Sequence, residues 1–572
     1  MGLHPVQWLG SNIGKSQFFR NCDYTCLKKV PNRAWDHDSW WFGWKKRRHG
    51  DVPPNWFVSP FFEEIVLETE CDWWHIHDFK NNDIKAIWEL SRMGWIIAWA
   101  TTAVSGDIHA PKRMNRWLSD WTNHNPAYKG PNWKCGQEAS IRVLHLVAAA
   151  LMMNQHLEPE RGLIDLIRMH LQRIYKTTAY AIGQQNNHAT SEAAALFVGG
   201  GFLDGHDPRA KHWEKTGRDL LEKLSTTLIE TDGSFSQYSV NYHRVMLDTY
   251  SFSEVWRRRL GLKAFSSQML ERLSLATDWL TNLTDHVSGD APNIGANDGA
   301  HLLQISGSEY RDFRSSVQLA SALFKEIDVY GPGSWNSSLE WFGIKPGKKS
   351  PMYSSRSYEC GGFHILRKNS AFALMRYPSF RFRPSQADAL HVDFWHNGIN
   401  VLRDAGTYSY NASCTKWFQG TTAHNTISFD ARNQMPILSR FLFGNWLKSE
   451  NIRLVSIENE ELTAAAGYTD YVGAQHTRKI ALSNDTLTCH DTISGTFQTA
   501  TLRWRLAPDN WYYHGEEIKN ENYSVSIDLN GTPVKPQYNQ TLESRYYLKK
   551  SKIPEISINV DKPSIIITKI KF

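Results

Sequence analysis

A change of texture near residue 346 constrains this chain more than any other feature. From about residue 81 to 345, apolar residues recur at helical spacing; beyond 346, short apolar runs alternate with Gly, Asn and Asp turns. The first pattern paints a stripe along a helix, and the second sends successive side chains to opposite faces of a strand. One layer cannot satisfy both, so the chain predicts an α+β multidomain protein with a helical part followed by an antiparallel β part. A length of 572 residues suits two or three domains.

Within 81–345, Asp83 caps a helix carrying Ile84, Ile87 and Trp88, and a second begins near Gln137. A third follows His188 and is expected to stop at Gly199-Gly200-Gly201, a strong breaker. Further helices are read over residues 211–230, 242–260 and 266–283. Many antiparallel helices joined by polar loops predict a helical toroid or bundle. Within 346–572, the alternation predicts an antiparallel β-sandwich. There Leu390, Val392 and Phe394 share one strand face, with His391, Asp393 and Trp395 on the other. Asn397-Gly398 reads as the hairpin turn that follows. Residues 1–80, rich in Trp, Pro and Gly without a sustained period, read as an irregular segment packed on the helical domain.

Composition excludes several classes. Hydrophobic residues at 41% and charged residues at 21% fit a folded globular chain. A net charge of +6 with interspersed signs is no nucleic-acid footprint, though a local basic groove for an acidic polymer stays open. The longest apolar run, about residues 95–104, is too short for a membrane span. Seven scattered cysteines without a CxxC pair point to free thiols in a reducing compartment. The first residues carry no secretory signal pattern, so the sequence as written predicts a cytoplasmic location, or a periplasmic one if a leader has been removed. Pairs such as Trp40-Trp41 and Trp73-Trp74 are candidate sugar platforms, and equally core residues. Oligomeric state is left open.

Chemistry concentrates in two segments: Asn187-His188, and Tyr242-His243-Arg244 inside DGSFSQYSVNYHRVMLD. An amide, imidazoles, a phenol and a guanidinium suit removal of a proton from a carbon beside a carboxylate. The amide and cations hold the carboxylate, and the phenol moves the proton. Arg244 is the neighbour expected to lower the phenol's pKa of about 10. Asn186 competes with Asn187, since a helix N-cap accounts for one of the two amides. Glu192, one turn beyond His188, is placed to orient that ring. Gln137, Glu138 and Arg142 line a groove or form a buried cluster, and Asn297 and Asp298 read first as turn residues.

The order GPNWKCGQEASIR, QQNNHATSEAAALFVGGGF, DGSFSQYSVNYHRVMLD, ANDGAHL, SQADALHVDFWHNGINVLRDAGTYSYN, TTAHNTISFD resembles the heparinase II/III-like polysaccharide lyases, across roughly residues 80–510. The resemblance implies an α/α toroid followed by an antiparallel β-sandwich, and β-elimination from an acidic, uronate-containing polysaccharide. It implies Asn187 as carboxylate neutraliser, His188 as its helper, Tyr242 as the proton-transfer residue and His424 at or near the site. Arg244, His243, Glu192, Gln137 and His391 are counted as substrate-binding. No cofactor is expected to be required. Asp404 and His424 match positions that hold a structural divalent metal, zinc or calcium, in relatives. The histidine expected in that segment is replaced by Gln386, whose amide oxygen is a poor zinc ligand; His391, five residues on, is the candidate substitute, although that changes the strand face. Two rivals remain. A glycoside hydrolase on the same scaffold needs two carboxylates about 5–9.5 Å apart, drawn from Glu192, Asp248 and Asp298. A non-catalytic glycan-binding protein of polysaccharide biosynthesis needs neither.

Overall fold

The computed structural model describes residues 16–21, 24, 38–48, 50–59, 61, 69–78 and 83–572, apart from 306 and 351–352. Cys22, Cys26 and much of the expected 1–80 segment lie outside these. Of the described cysteines, Cys135, Cys360, Cys414 and Cys489 are free thiols.

The helices are α1 (Lys85–Ser91), α2 (Gly94–Val104), α3 (Ala110–His124), α4 (Gly136–Met152), α5 (Arg161–Tyr175), α6 (Thr178–Gly183), α7 (Asn187–Phe202), α8 (Ala210–Leu228), α9 (Val240–Arg259), α10 (Ser267–Leu283), α11 (Arg314–Phe324) and α12 (Ser337–Phe342). The helix expected from Asp83 is split, because Met93 takes a left-handed conformation (φ 63°) between α1 and α2. None of the described helices is long and apolar enough to cross a membrane.

The expected stop at Gly199-Gly200-Gly201 is overturned: α7 runs through all three to Phe202. These glycines serve packing. A Cβ on Gly200 would lie 2.4 Å from the Glu214 backbone nitrogen, and one on Gly217 of α8 would lie 2.2 Å from that of Phe197. The α7 and α8 backbones therefore run antiparallel at a separation only glycine allows. By the same contacts α4 and α7 are parallel. Gly136 lies against Glu192, and further along Val143 lies against Gly199. Asn187 N–H donates to Gln237 Oε1 at 2.9 Å, just before α9 begins. The first turns of α7 and α9 thus meet at one end of the helical domain, where α4 also begins.

The β part stacks two layers. One contains a five-stranded antiparallel meander, Arg356–Tyr358, Phe363–Lys368, Ala371–Arg376, Val392–His396 and Ile399–Leu402. The other is a nine-stranded sheet that includes Ser449–Glu458, Glu461–Thr469, Ala474–Leu482, Thr486–Gly495 and Ser564–Lys571. Leu390, Val392 and Phe394 face the core between the layers, with Ile480, Leu487 and Ile566 opposite. Phe363, Ile365 and Leu374 turn the other way, into the helical core. With both faces covered, Ala371–Arg376 is buried along its whole length. Asn397 (φ 49°) and Gly398 (φ 81°) form the expected tight turn.

Candidate active site

Three first turns supply the polar groups. At α7, the Asn186 side chain accepts the His188 N–H at 3.0 Å, so Asn186 is the N-cap. Asn187 is 3% exposed, and its carboxamide makes no hydrogen bond among the described residues. At α4, both amide atoms of buried Gln137 lack a partner. At α9, Ser239 Oγ caps the Tyr242 N–H at 3.2 Å and donates to Ala296 O at 2.6 Å. Gly295 (φ 76°) permits that approach, since a Cβ there would meet Tyr238 O at 2.4 Å.

The Tyr242 hydroxyl lies 2.8 Å from the hydroxyl of Tyr410, a β-domain residue. Tyr410 is held from behind. Its N–H donates to Tyr547 Oη at 2.9 Å, while Tyr547 Oη and Ser409 Oγ donate to Asp83 Oδ2. Asp83 stands just ahead of α1, so one buried carboxylate ties the helical domain to two β-domain segments. Tyr410 lies inside the GTYSYN motif, yet its pairing with Tyr242 spans 168 residues and leaves no local pattern.

A charged network flanks the phenols. Lys85 Nζ lies 2.7 Å from Asp298 Oδ2, and the Arg92 guanidinium 3.7 Å from the same oxygen. Arg92 also pairs with Glu138 at 2.7 Å and Glu89 at 2.8 Å. Burial alone would raise the Asp298 carboxyl, but Lys85 and Arg92 hold it down at about 2. Asp298 is thus more than a turn residue. It is a fixed anion within electrostatic reach of both Tyr242 and His188. Lys85 and Arg92 belong to no motif, and only the fold assembles them.

Burial raises Tyr242 well above 10, with Asp298 and Tyr410 adding to the effect, so the resting group is a neutral phenol. His188 is half-buried, and burial lowers its pKa, so its imidazole is neutral near pH 7. Burial raises Glu192 to about 8 against the opposing pull of His188, and its Oε2 has no partner. Glu192 is therefore a protonated acid near neutral pH.

Other predicted site residues stand elsewhere. Arg244 is fully buried, stacked 4.4 Å from the Tyr310 and Phe313 rings and bonded to Asn241 Oδ1 at 2.8 Å. Burial, Asp298 and the neighbouring phenols, not Arg244, are the main causes of the Tyr242 shift. His243 is stacked on Trp279 at 4.3 Å, with Nε2 2.8 Å from Ala276 O. Both point into the helical core, because residues adjacent in a helix face different directions. Arg142 is fully buried as well, donating to His170 and to Asn132 O. Trp41 is core, whereas Trp40 and Trp74 stay 46% and 44% exposed.

His391 and His424 are both fully buried, so neither is open to a glycan in this structure. His391, Asp404 and His424 bring ligand atoms within 4.8 Å of one another. His424 Nδ1 lies 2.8 Å from Asp404 Oδ2, and His391 Nε2 lies 3.6 Å from it. Nε2 of both imidazoles is buried without a partner. Two imidazoles and a carboxylate with orphaned lone pairs form a donor set that fits a divalent metal ion. Gln386 does another job. Its Oε1 accepts the Gly295 N–H at 2.8 Å, pinning the loop beneath Ser239.

These features define a two-domain class: a helical domain whose inner helices start at a shared polar site, closed by a phenol from an antiparallel sandwich. The chain belongs to the heparinase II/III-like family, its residues 47–286 matching "Heparinase II/III N-terminus" and 351–544 "Heparinase II/III-like, C-terminal". It is 20% identical over 425 residues to a heparin-sulfate lyase of Bacteroides stercoris, covering 68% of this chain and 59% of that protein. A heparin-sulfate lyase of Bacteroides thetaiotaomicron is 23% identical over 407 residues, covering 65% and 55%. The chain therefore spans less than two thirds of these relatives' length. The crystal structure of heparinase III superposes with a TM-score of 0.67 at 16% identity, over 90% of this chain and 82% of that one, which is a likeness of fold.

Proposed function

We propose that this protein is a polysaccharide lyase that cleaves an acidic, uronate-containing glycan by β-elimination. One observation carries the reading: Asn187, a buried residue whose carboxamide makes no hydrogen bond among the described residues, opens the helix beside the one that carries a phenol paired across the domain boundary. The names of the two heparin-sulfate lyase relatives support it.

In this reading the uronate carboxylate sits against Asn187, with Gln137 and protonated Glu192 as further donors. Tyr242, as phenolate, takes the proton from C5. The C5–H electron pair becomes the C4–C5 double bond, the C4–O4 bond breaks, and O4 leaves with the proton Tyr242 has just gained. Phenolate is restored and atoms balance. Stabilising charge as it develops at the carboxylate is the largest contribution such a site makes.

The hydrolase alternative is weakened by Asp298. Its Oδ2 is held by Lys85, and its Oδ1 accepts the Ala300 N–H at 3.1 Å. Asp248, 1% exposed in the interior of α9, is no better placed. We further propose a structural divalent metal on His391, Asp404 and His424. Two imidazoles favour zinc over calcium, which prefers all-oxygen sites. The ion would cross-link three β-domain segments, and the elimination steps run on the chain's own side chains.

The test is a panel of heparan sulfate, alginate, hyaluronan and bacterial capsular glycans, followed by the near-ultraviolet absorbance of the new double bond. Wild type produces it, and Tyr242→Phe loses it. New reducing ends without that absorbance would show hydrolysis instead.

A further inference from the structure

Tyr242 poses a problem that the lyase reading leaves open. A base must be deprotonated, yet burial, the Asp298 charge and the resting contact with Tyr410 all oppose a phenolate there. The hydrogen bond must therefore reverse, Tyr410 becoming the donor, when Tyr242 loses its proton. The cation expected to help, Arg244, is turned into the core. Something else must stabilise the anion.

The Tyr410 hydroxyl lies 2.8 Å from Tyr242 Oη, and no other hydrogen bond is described for either oxygen. The contact is built. Tyr410 is 4% exposed, its ring packs edge-on against Tyr547 (5.6 Å) and Phe441 (5.1 Å), and its backbone is fixed by Tyr547 and Asp83. The charged and titratable groups that act on the pair are Asp298, Asp83, Tyr310 and Tyr547, with Lys85 over the Tyr410 ring. Lys85 Nζ lies 5.4 Å from the centre of the Tyr410 ring and is itself neutralised by Asp298. No unpaired cation among the described residues faces Tyr242. Two phenols joined by one hydrogen bond ionise as a unit, because the proton that stays is donated to the oxygen that lost its own. Bonds from O–H to O⁻ are the short, strong kind.

We infer that Tyr410 is the positioning residue that makes Tyr242 a base, donating its hydroxyl hydrogen to the Tyr242 phenolate and keeping that proton throughout the elimination. This rests on the lyase reading, and it assigns a function to a residue supplied by the sandwich. The two domains must then be docked before Tyr242 can ionise. Tyr547 and Asp83 hold Tyr410 in register.

The experiment has an arm that needs no turnover. 3,5-Difluorotyrosine is placed at position 242, where fluorination brings phenol ionisation into the range a folded protein tolerates. Its phenolate absorbance is titrated with Tyr410 intact and in Tyr410→Phe, which keeps the ring and its packing. The expected result is an upward shift of about one to two pH units in Tyr410→Phe, as loss of a hydrogen bond to a charged group requires. In the parallel activity arm, the rising limb of kcat/KM moves up by the same amount, with KM and melting temperature unchanged. An unchanged titration in Tyr410→Phe overturns the inference. So does a Tyr410→Phe enzyme that is dead while Tyr242→Phe merely shifts, since Tyr410 would then be the base. If no glycan in the panel yields unsaturated product, the lyase reading falls, and the titration still reports on the phenol pair.

Discussion

Asn186 and Asn187 are chemically alike and adjacent, yet the start of α7 gives them separate roles. Asn186 is spent on the His188 N–H, whereas Asn187 keeps an unbonded carboxamide. Asn186→Ala should therefore lower the melting temperature, the loss of an N-cap costing about 1 kcal/mol, with little change in turnover per folded molecule. Asn187→Ala should reverse the pattern. Its melting curve stays near wild type while kcat falls about 10²–10³-fold, as when one donor to a developing oxyanion is removed. Thermal melts and initial rates on the same preparations check both. Equal effects of the two changes on stability and rate would sink the division of labour.

For an element, the informative case is the glycine run in α7. Read locally, three glycines break a helix. Read against α8, they are what lets two helices approach until backbone meets backbone. Ordinarily an interior Gly→Ala change in a helix gains up to about 1 kcal/mol. Gly200→Ala should instead destabilise, because its Cβ would fall 2.4 Å from the Glu214 nitrogen, in backbone that cannot step aside. Gly183, the last residue of α6, has nothing within 4 Å of an added Cβ, so Gly183→Ala should be neutral or mildly stabilising. Denaturant midpoints for the two variants decide the matter. A stabilised Gly200→Ala would mean that α7 and α8 are not this close.

For the whole molecule, the His391–Asp404–His424 cluster and the Asp83 clamp tie distant parts of the chain together. The cluster joins the residue just before the strand Val392–His396, the segment after the meander and the TTAHNT loop. Asp404→Ala should abolish bound metal and lower the melting temperature, since two buried imidazoles would lose their carboxylate partner. A chelator should lower wild type towards the variant and leave the variant unmoved. Metal quantification and calorimetry check this, and a melting curve indifferent to both treatments would remove the metal proposal.

Period and punctuation carried a great deal. Helical and alternating texture, the face shared by Leu390, Val392 and Phe394, the Asn397-Gly398 turn and the order of the six motifs are properties of neighbours along the chain, and sequence displays those directly. Tyr242 and Asn187 stand out in the sequence for the same reason, each lying in a motif that the structure places at a helix start. Arg244 and His243 were misplaced because proximity in sequence does not fix the direction a side chain takes. His391 shares a side with Asp393, as the alternation implied; what the sequence did not display is that Asp404 and His424 reach that same side. Tyr410, Lys85, Arg92 and Asp83 were invisible as a group, because their partners lie tens to hundreds of residues away. The sequence by itself determined which elements form and which chemical groups each one carries. Only the tertiary structure decided which of those groups face one another, because hydrogen bonds and charge pairs act over a few ångströms of space, and the chain reaches those distances only by folding.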